Sequence, residues 1–429
     1  MAGKITRSTL DNGLLVLLKE IHTAPLISSW MWYRVGSRDE RTGLTGVSHW
    51  VEHMQFKGTP DHPAAIMDKA IAREGGMWNA FTYLDWTTFL ETLPSDKIDL
   101  ALSLEADRML NSTFDPDEVA SERTVIISER EGNENEPLFQ LNEAIQSAAF
   151  KVHPYHHEVI GDKADLNTIT RDDLFNHYRT FYNPNNAVLA LAGDFSSKTM
   201  LESIRRLFEP IPAGKLPVRL NRPEPPDRGE HQLTLEGPGE TTYMQIAYRF
   251  PSALDADLFP FMVLDSLLSG PTNPSAFSSG GISNKTSRLY RALVEKEKAV
   301  GVFGGGQVTI DPFLYTTTIT IHPNKGTQEV LDIFDAEIKR IQDESIPEAD
   351  IQRAIKQARA IFAYGSENIT HQAAWLGFSE MFADYRWFEK YLDKLAEVTP
   401  TDIQRVAQTW LVHQRRLVGT YLPEGKAES

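Results

Sequence analysis

Gly46-Val47-Ser48-His49-Trp50-Val51-Glu52-His53-Met54-Gln55-Phe56 decides how the rest of this 429-residue chain is read. Placed on a helix at about 100° per residue, the stretch sends Val47, Trp50, Val51 and Met54 to one side and His49, Glu52 and His53 to the other. Two imidazoles one turn apart can hold one metal ion, and Glu52 beside them can take the proton of a water bound there. The order HxxEH inverts the HExxH of the better-known zinc helix. Taken alone, the same five residues also describe two surface histidines next to an acid.

Working outward, the chain is long enough for about two to four domains. A hydrophobic content of 41% and a charged content of 24% are those of an ordinary globular protein. The formal net charge of −16 argues against nucleic acid or an anionic membrane as partner and fits a basic or neutral substrate. With no cysteine there is no disulfide framework, no thiolate ligand and no cysteine nucleophile, so any zinc must sit on His, Asp or Glu. No apolar run is long enough for a helical membrane span. Asp11-Asn12-Gly13 and a strand pattern follow Met1 almost at once, which leaves no room for a secretory signal and gives a cytoplasmic expectation. A chain trimmed of a leader would look the same.

Residues 12 to 35 read as two strands, around Leu14 to Leu18 and Leu26 to Val35. The polar loop Gly36 to Gly43 delivers the chain to the histidine helix. A second helix over Ala64 to Glu74 stops at Gly75-Gly76, and strand patterns follow at Met77 to Tyr83 and Thr87 to Leu93. Alternating strands and helices indicate layered α and β structure. Asp115-Pro116-Asp117-Glu118 opens a further helix, with an acid as N-cap and proline at its first position. That helix carries Glu122 and Glu129 on one face, since seven residues make about two turns. Catalytic zinc takes three protein ligands and keeps one position for water. Spacing alone leaves Glu122, Glu129, Glu131 and several other acids all open as the third, most of them readable as solvated surface charges.

Six prolines between Glu209 and His231 mark a stiff linker near the midpoint. The halves echo each other. Thr170 and Asp173 begin a helix that leads to the strand Ala187 to Ala192. Thr399 and Asp402 likewise precede a helix, read as Gln404 to Leu411, and the strand Arg416 to Tyr421. Each pair is close to a capping box. Trp32-Tyr33-Arg34-Val35-Gly36-Ser37 is likewise echoed by Ala247-Tyr248-Arg249-Phe250-Pro251-Ser252. These echoes predict an internal duplication of an α+β unit of about 200 residues, giving two homologous α/β-sandwich domains, each a mostly antiparallel sheet covered by helices. The expected division is 1–212 for the zinc-binding domain, 213–230 for the linker and 231–429 for the second copy. Leu258 to Leu268 contains no histidine, so only the first copy keeps the metal motif.

On Gly46 to Thr59, Gly75 to Leu93, Glu122 to Glu129, His153 to Gly161, Tyr182 to Phe195 and Ser287 to Leu293, the chain resembles the pitrilysin-type, or inverzincin, zinc metallopeptidases. It is most similar to the short two-domain class that includes the mitochondrial processing peptidases and bacterial relatives, and the likeness runs through nearly the whole sequence. The resemblance implies one zinc on His49, His53 and Glu129, with Glu52 as catalytic base and Glu122 as an orienting group behind them. Ser128 stands where relatives often carry a further acid. The resemblance also implies that an extended peptide substrate adds as a strand beside Asn79, Ala80, Phe81 and Thr82. His153, His156 and His157 match a family loop without a ligand role.

Active members place an Arg and a Tyr near the scissile carbonyl, just after the motif at Ser287 to Leu293. Here those positions read Val294 and Gly301. The expectation is therefore a zinc-dependent endopeptidase, the zinc-bearing subunit of a heterodimer whose homologous partner supplies the Arg/Tyr pair. A homodimeric peptidase with other donors and a non-catalytic assembly subunit, like the core proteins of respiratory complexes, are the alternatives. Ser269 to Ser283 resembles the glycine-rich loop that some relatives carry on the subunit without zinc.

Overall fold

The computed structural model describes residues 4–219, 222–225, 229–272 and 283–425. The first half of the chain supplies strands β1 (Ile5–Thr9), β2 (Leu15–Glu20), β3 (Leu26–Tyr33), β4 (Met77–Thr82), β5 (Thr87–Pro94) and β6 (Ala187–Gly193). Its helices are α1 (Val47–Met54), α2 (Ala64–Arg73), α3 (Ile98–Asn111), α4 (Pro116–Glu134), α5 (Pro137–Ala149), α6 (Lys163–Thr168), α7 (Arg171–Phe181) and α8 (Ser197–Phe208). The second half supplies β7 (His231–Gly237), β8 (Tyr243–Phe250), β9 (Ala299–Gly306), β10 (Phe313–Ile321) and β11 (Leu417–Pro423). With them come α9 (Leu258–Leu268), α10 (Thr327–Asp343), α11 (Glu348–Tyr364), α12 (Ile369–Phe382), α13 (Arg386–Ala396) and α14 (Pro400–Trp410).

Two sheets form, in the orders β1-β2-β6-β3-β5-β4 and β7-β11-β8-β10-β9. Among the described residues, only β2 with β6 and β7 with β11 are parallel; every other pairing there is antiparallel. Laid on one another in chain order, β7 to β11 reproduce the arrangement of β2 to β6, with β1 added to the first sheet. Repetition of a five-strand order, including its one parallel pair, is the structural counterpart of the sequence echoes. The capping boxes recur at equivalent places too. Thr170 takes the Asp173 N–H at 3.2 Å while the Asp173 carboxylate takes the Thr170 N–H at 2.9 Å. Thr399 and Asp402 do the same at 3.3 and 3.1 Å. Because Thr399 is the N-cap, α14 starts at Pro400, four residues before the start read from sequence.

The compact units do not follow the proline-rich stretch. One comprises Met1–Glu131, His157–Arg222 and Ser366–Phe388; the other comprises Gly132–His156, Pro223–Gly365 and Glu389–Ser429. The expected division kept each half whole, whereas here each half gives one helix to the other. Helix α12 packs on β3 and β6 of the first sheet, and α5 packs on β11 and β8 of the second, which are the equivalent strands. Glycine marks both crossings. A Cβ on Gly377 of α12 would lie 2.1 Å from the Trp32 indole nitrogen, and one on Gly419 of β11 would lie 2.8 Å from Ile145 Cδ1 of α5. A sheet face left bare would expose buried residues such as Trp30 and Trp32, so the donated helix covers surface that the strands cannot bury alone.

Beneath the first sheet, Arg108 of α3 is buried with two carboxylates. Its Nη2 meets Glu91 Oε1 of β5 at 2.8 Å, and its Nε donates to Glu105 Oε2 at 3.1 Å. Its guanidinium also lies 4.2 Å from the Phe89 ring centre. This cluster ties β5, next to the edge strand β4, to the helix behind it.

Candidate metal centre

Helix α1 buries Val47, Trp50, Val51 and Met54, the face that its periodicity predicts, and lies beside α7 and β4. The opposite side carries His49, Glu52 and His53. Their partners come from α4, which passes nearby and turns Glu122 and Glu129 toward the imidazoles.

His49 Nε2 and His53 Nε2 are 3.2 Å apart. Glu129 Oε2 lies 3.9 Å from the first and 3.8 Å from the second. A point in their plane equidistant from all three atoms is about 2.1 Å from each, the circumradius of that triangle. Zinc–nitrogen and zinc–oxygen bonds span about 2.0–2.2 Å, so the spacing of the three atoms suits one zinc ion. Among the described residues this is the one group of three such side chains whose ligand atoms converge. Glu131, on the same helix, instead pairs with Lys163.

His53 is oriented from behind. Its Nδ1–H donates to Glu122 Oε1 at 2.8 Å, which leaves Nε2 for the ion. The other Glu122 oxygen is paired with Lys57, a contact with no signal in the sequence pattern. Burial works against the Glu122 carboxylate, but the His53 and Lys57 contacts outweigh it and hold its pKa below the usual range.

The two histidines respond in opposite directions. His49 is pushed down to about 3 by burial and then by the charge of His53. Burial also opposes the His53 cation, yet the Glu122 hydrogen bond and the Glu52, Glu122 and Glu129 charges prevail and raise it. The two shifts favour a proton on His53 over one on His49, along the 3.2 Å contact between their Nε2 atoms.

Glu52 is buried beside them. Burial pushes its pKa up to about 7, against a 2.5 Å hydrogen bond from Thr82 Oγ1. A pKa near neutrality suits a group that must both take and return a proton. Thr82, expected on the substrate side, thus holds the base.

The remaining strand residues lie on β4, the open edge of the first sheet. The Tyr83 N–H donates to the Trp86 carbonyl, which makes Tyr83 and Trp86 a hydrogen-bonded pair. Alternation along the antiparallel ladder then leaves the N–H and C=O of Thr82, Ala80 and Trp78 facing the free edge. Asn79 Oδ1 accepts the Ala80 N–H at 2.9 Å, so the Asn79 side chain covers the outward donor of its neighbour. Asn79 and Phe81 project from the exposed face, opposite the one that carries Thr82 toward Glu52.

Other expected positions stand apart from this cluster. His153 faces Asp311 at 3.2 Å, and His157 lies 3.7 Å from Glu40. Val294 ends a short turn of π-helix, and Gly301 sits on β9. Of the glycine-rich stretch, residues 273–282 lie outside the described residues.

Residues 15–163 match the family described as Insulinase (Peptidase family M16), and residues 168–358 match the one described as Peptidase M16 inactive domain. An uncharacterized zinc protease of Mycobacterium leprae is 27% identical over 95% of this chain and 89% of its own length. A zinc protease of Helicobacter pylori is 25% identical over 94% and 89%. Among solved structures, a protease from Helicobacter pylori superposes with a TM-score of 0.90 at 24% identity, covering 99% of this chain and 100% of that one. An M16-like peptidase from Alicyclobacillus acidocaldarius gives 0.84 at 19%, covering 99% of each chain. No helix among the described residues is long and apolar enough to cross a membrane. With two M16 descriptions matched in tandem, and the histidine-glutamate cluster lying within the first, the chain belongs to the pitrilysin-type peptidase family M16.

Proposed function

We propose that this protein is a zinc-dependent endopeptidase for extended or unfolded peptides, with His49, His53 and Glu129 as ligands and Glu52 as general base. The observation that carries the reading is the convergence of three ligand atoms on one point about 2.1 Å from each, with a buried carboxylate of raised pKa alongside. When bound, zinc supplies Lewis acidity to the scissile carbonyl and acidifies the attacking water.

The chain's own groups do the rest. Glu122 fixes the His53 tautomer, and Thr82 aims the Glu52 carboxylate. Glu52 takes the proton of the attacking water and passes it to the leaving amine. The outward N–H and C=O of Ala80 support strand addition of the substrate backbone at the edge beside Glu52. For that pairing, Asn79 Oδ1 must release the Ala80 N–H.

Charge that develops on the carbonyl oxygen needs a donor, and Val294 and Gly301 have none in their side chains. The reading is therefore of a zinc-bearing subunit whose partner, a homologous chain with Arg and Tyr at those positions, completes the site. The test measures zinc content and peptide cleavage for the isolated chain and for the chain mixed with such a homologue. Zinc binding with cleavage only in the mixture supports the heterodimer. Cleavage by the isolated chain removes the partner requirement, and bound zinc with no cleavage in any pairing points to an assembly subunit.

A further inference from the structure

We infer that Glu40 is a positioning residue: its buried carboxylate caps α1 from the preceding loop and fixes the roll at which His49, Glu52 and His53 face the ion. The inference rests on the metal-centre reading above and assigns a role to a residue outside that centre.

Helix α1 has eight residues, a length that is marginal in isolation, and it includes Val47, Trp50 and Val51, which are not strong helix formers. Its own start offers no cap. The N-cap is Gly46, held at φ +87°, and its first turn contains no acid. A Cβ at Gly46 would lie 2.4 Å from the Ile160 carbonyl oxygen, so no capping side chain fits there. The donors are satisfied from elsewhere: the Gly46 N–H reaches Glu40 Oε2 and the Ser48 N–H reaches Glu40 Oε1, both at 2.8 Å.

One N–H per oxygen fixes the helix start against a single carboxylate. The Glu40 side chain is 0% exposed, and the ion-pair contact it makes among the described residues is with His157 Nε2 at 3.7 Å. The helix N-terminus is thus its main electrostatic counterpart. Burial pushes the Glu40 pKa up to about 8 against the opposing pull of the Ser48 and Gly46 N–H donors, and each oxygen accepts one of these N–H groups whether or not the other lone pairs hold a proton. Ser48 adds a second tether. Its hydroxyl donates to the Gly36 carbonyl at 3.1 Å and takes the His177 Nε2–H at 3.1 Å.

The lever is short. Side-chain atoms on a helix lie about 5–6 Å from its axis, so a 10° roll of α1 moves an imidazole nitrogen by about 1 Å. That is roughly half a zinc–ligand bond.

The test uses the full chain with Glu40→Gln, which keeps shape but puts an NH2 group against an N–H donor, and Glu40→Asp, which keeps charge but is too short for both contacts. Four quantities are read at 25 °C: zinc affinity by chelator competition, the visible spectrum of the Co2+-loaded protein, kcat and KM separately, and the Tm of the metal-free chain. A folded Glu40→Gln variant is expected to bind zinc at least about tenfold more weakly, as for other groups that orient metal ligands. Its Co2+ spectrum changes and kcat falls while KM stays. Wild-type affinity, spectrum and kcat in a folded variant of lowered Tm would overturn the inference, leaving Glu40 a stabilising residue only. Failure of both variants to fold would equally overturn it. If wild-type protein itself binds no zinc, the metal-centre reading falls, an outcome distinct from either.

Discussion

Zinc held by His49 and His53 would displace the proton that the opposite shifts favour on His53, and the number of protons released tests that arrangement. His49, at about 3, is already neutral above about pH 4. His53 is raised and carries the shared proton at mildly acidic pH. Glu52, at about 7, is also protonated there, and a dication beside it pulls its pKa down. The wild-type chain should therefore release between one and two protons per zinc at about pH 6. Glu52→Gln should release one, because only His53 remains to give up a proton. In that variant, zinc affinity rises about tenfold, or about 1.4 kcal/mol, for each pH unit up to the His53 pKa and is flat above it. The sign follows from the raised pKa: the protonated form competes with the metal below it and vanishes above it. Calorimetric titrations in buffers of different ionisation enthalpy count the protons directly. Two protons from Glu52→Gln would mean that His49 is charged, and none would mean that His53 is neutral; either result refutes the arrangement.

Further outcomes follow from the same contacts. Glu52→Gln should keep its zinc and lose about 10²–10⁴-fold in kcat, checked by metal analysis and a peptide assay; retained turnover would remove Glu52 as the base. Ala80→Pro deletes the outward N–H on a strand edge that tolerates proline, so KM should rise about three- to tenfold with little change in Tm. Arg108→Met strands Glu91 and Glu105 in the core and should cost about 3–5 kcal/mol in urea unfolding, whereas converting both acids to neutral residues as well should recover most of it. Gly377→Ala forces a methyl group against Trp32 and should cost about 1–3 kcal/mol by the same measurement.

Much of the centre could be read before any coordinates. The apolar face of α1 follows from helical periodicity, and both capping boxes follow from Thr and Asp three residues apart, because these are local rules. Glu129 did not follow from spacing; family likeness singled it out among Glu122, Glu131 and several other acids, and it is the one that meets the histidines. The contacts missed are those that depend on tertiary approach. Thr82 looked like one more residue of a substrate strand, and only the approach of β4 to α1 gives its hydroxyl to Glu52. Lys57 lies beyond the end of α1, where no periodicity predicts its partner. The exchange of α5 and α12 has no local signature, since an amphipathic helix states that it needs an apolar surface and not which one.

That exchange sets an order on biosynthesis. Residues 366–388, which complete the first compact unit, leave the ribosome more than 170 residues after the last strand of its sheet. A nascent N-terminal half therefore waits with an uncovered tryptophan-rich surface and depends on chaperones or on speed. Cut at the proline-rich stretch, the two pieces should stay soluble when made together and aggregate when made separately.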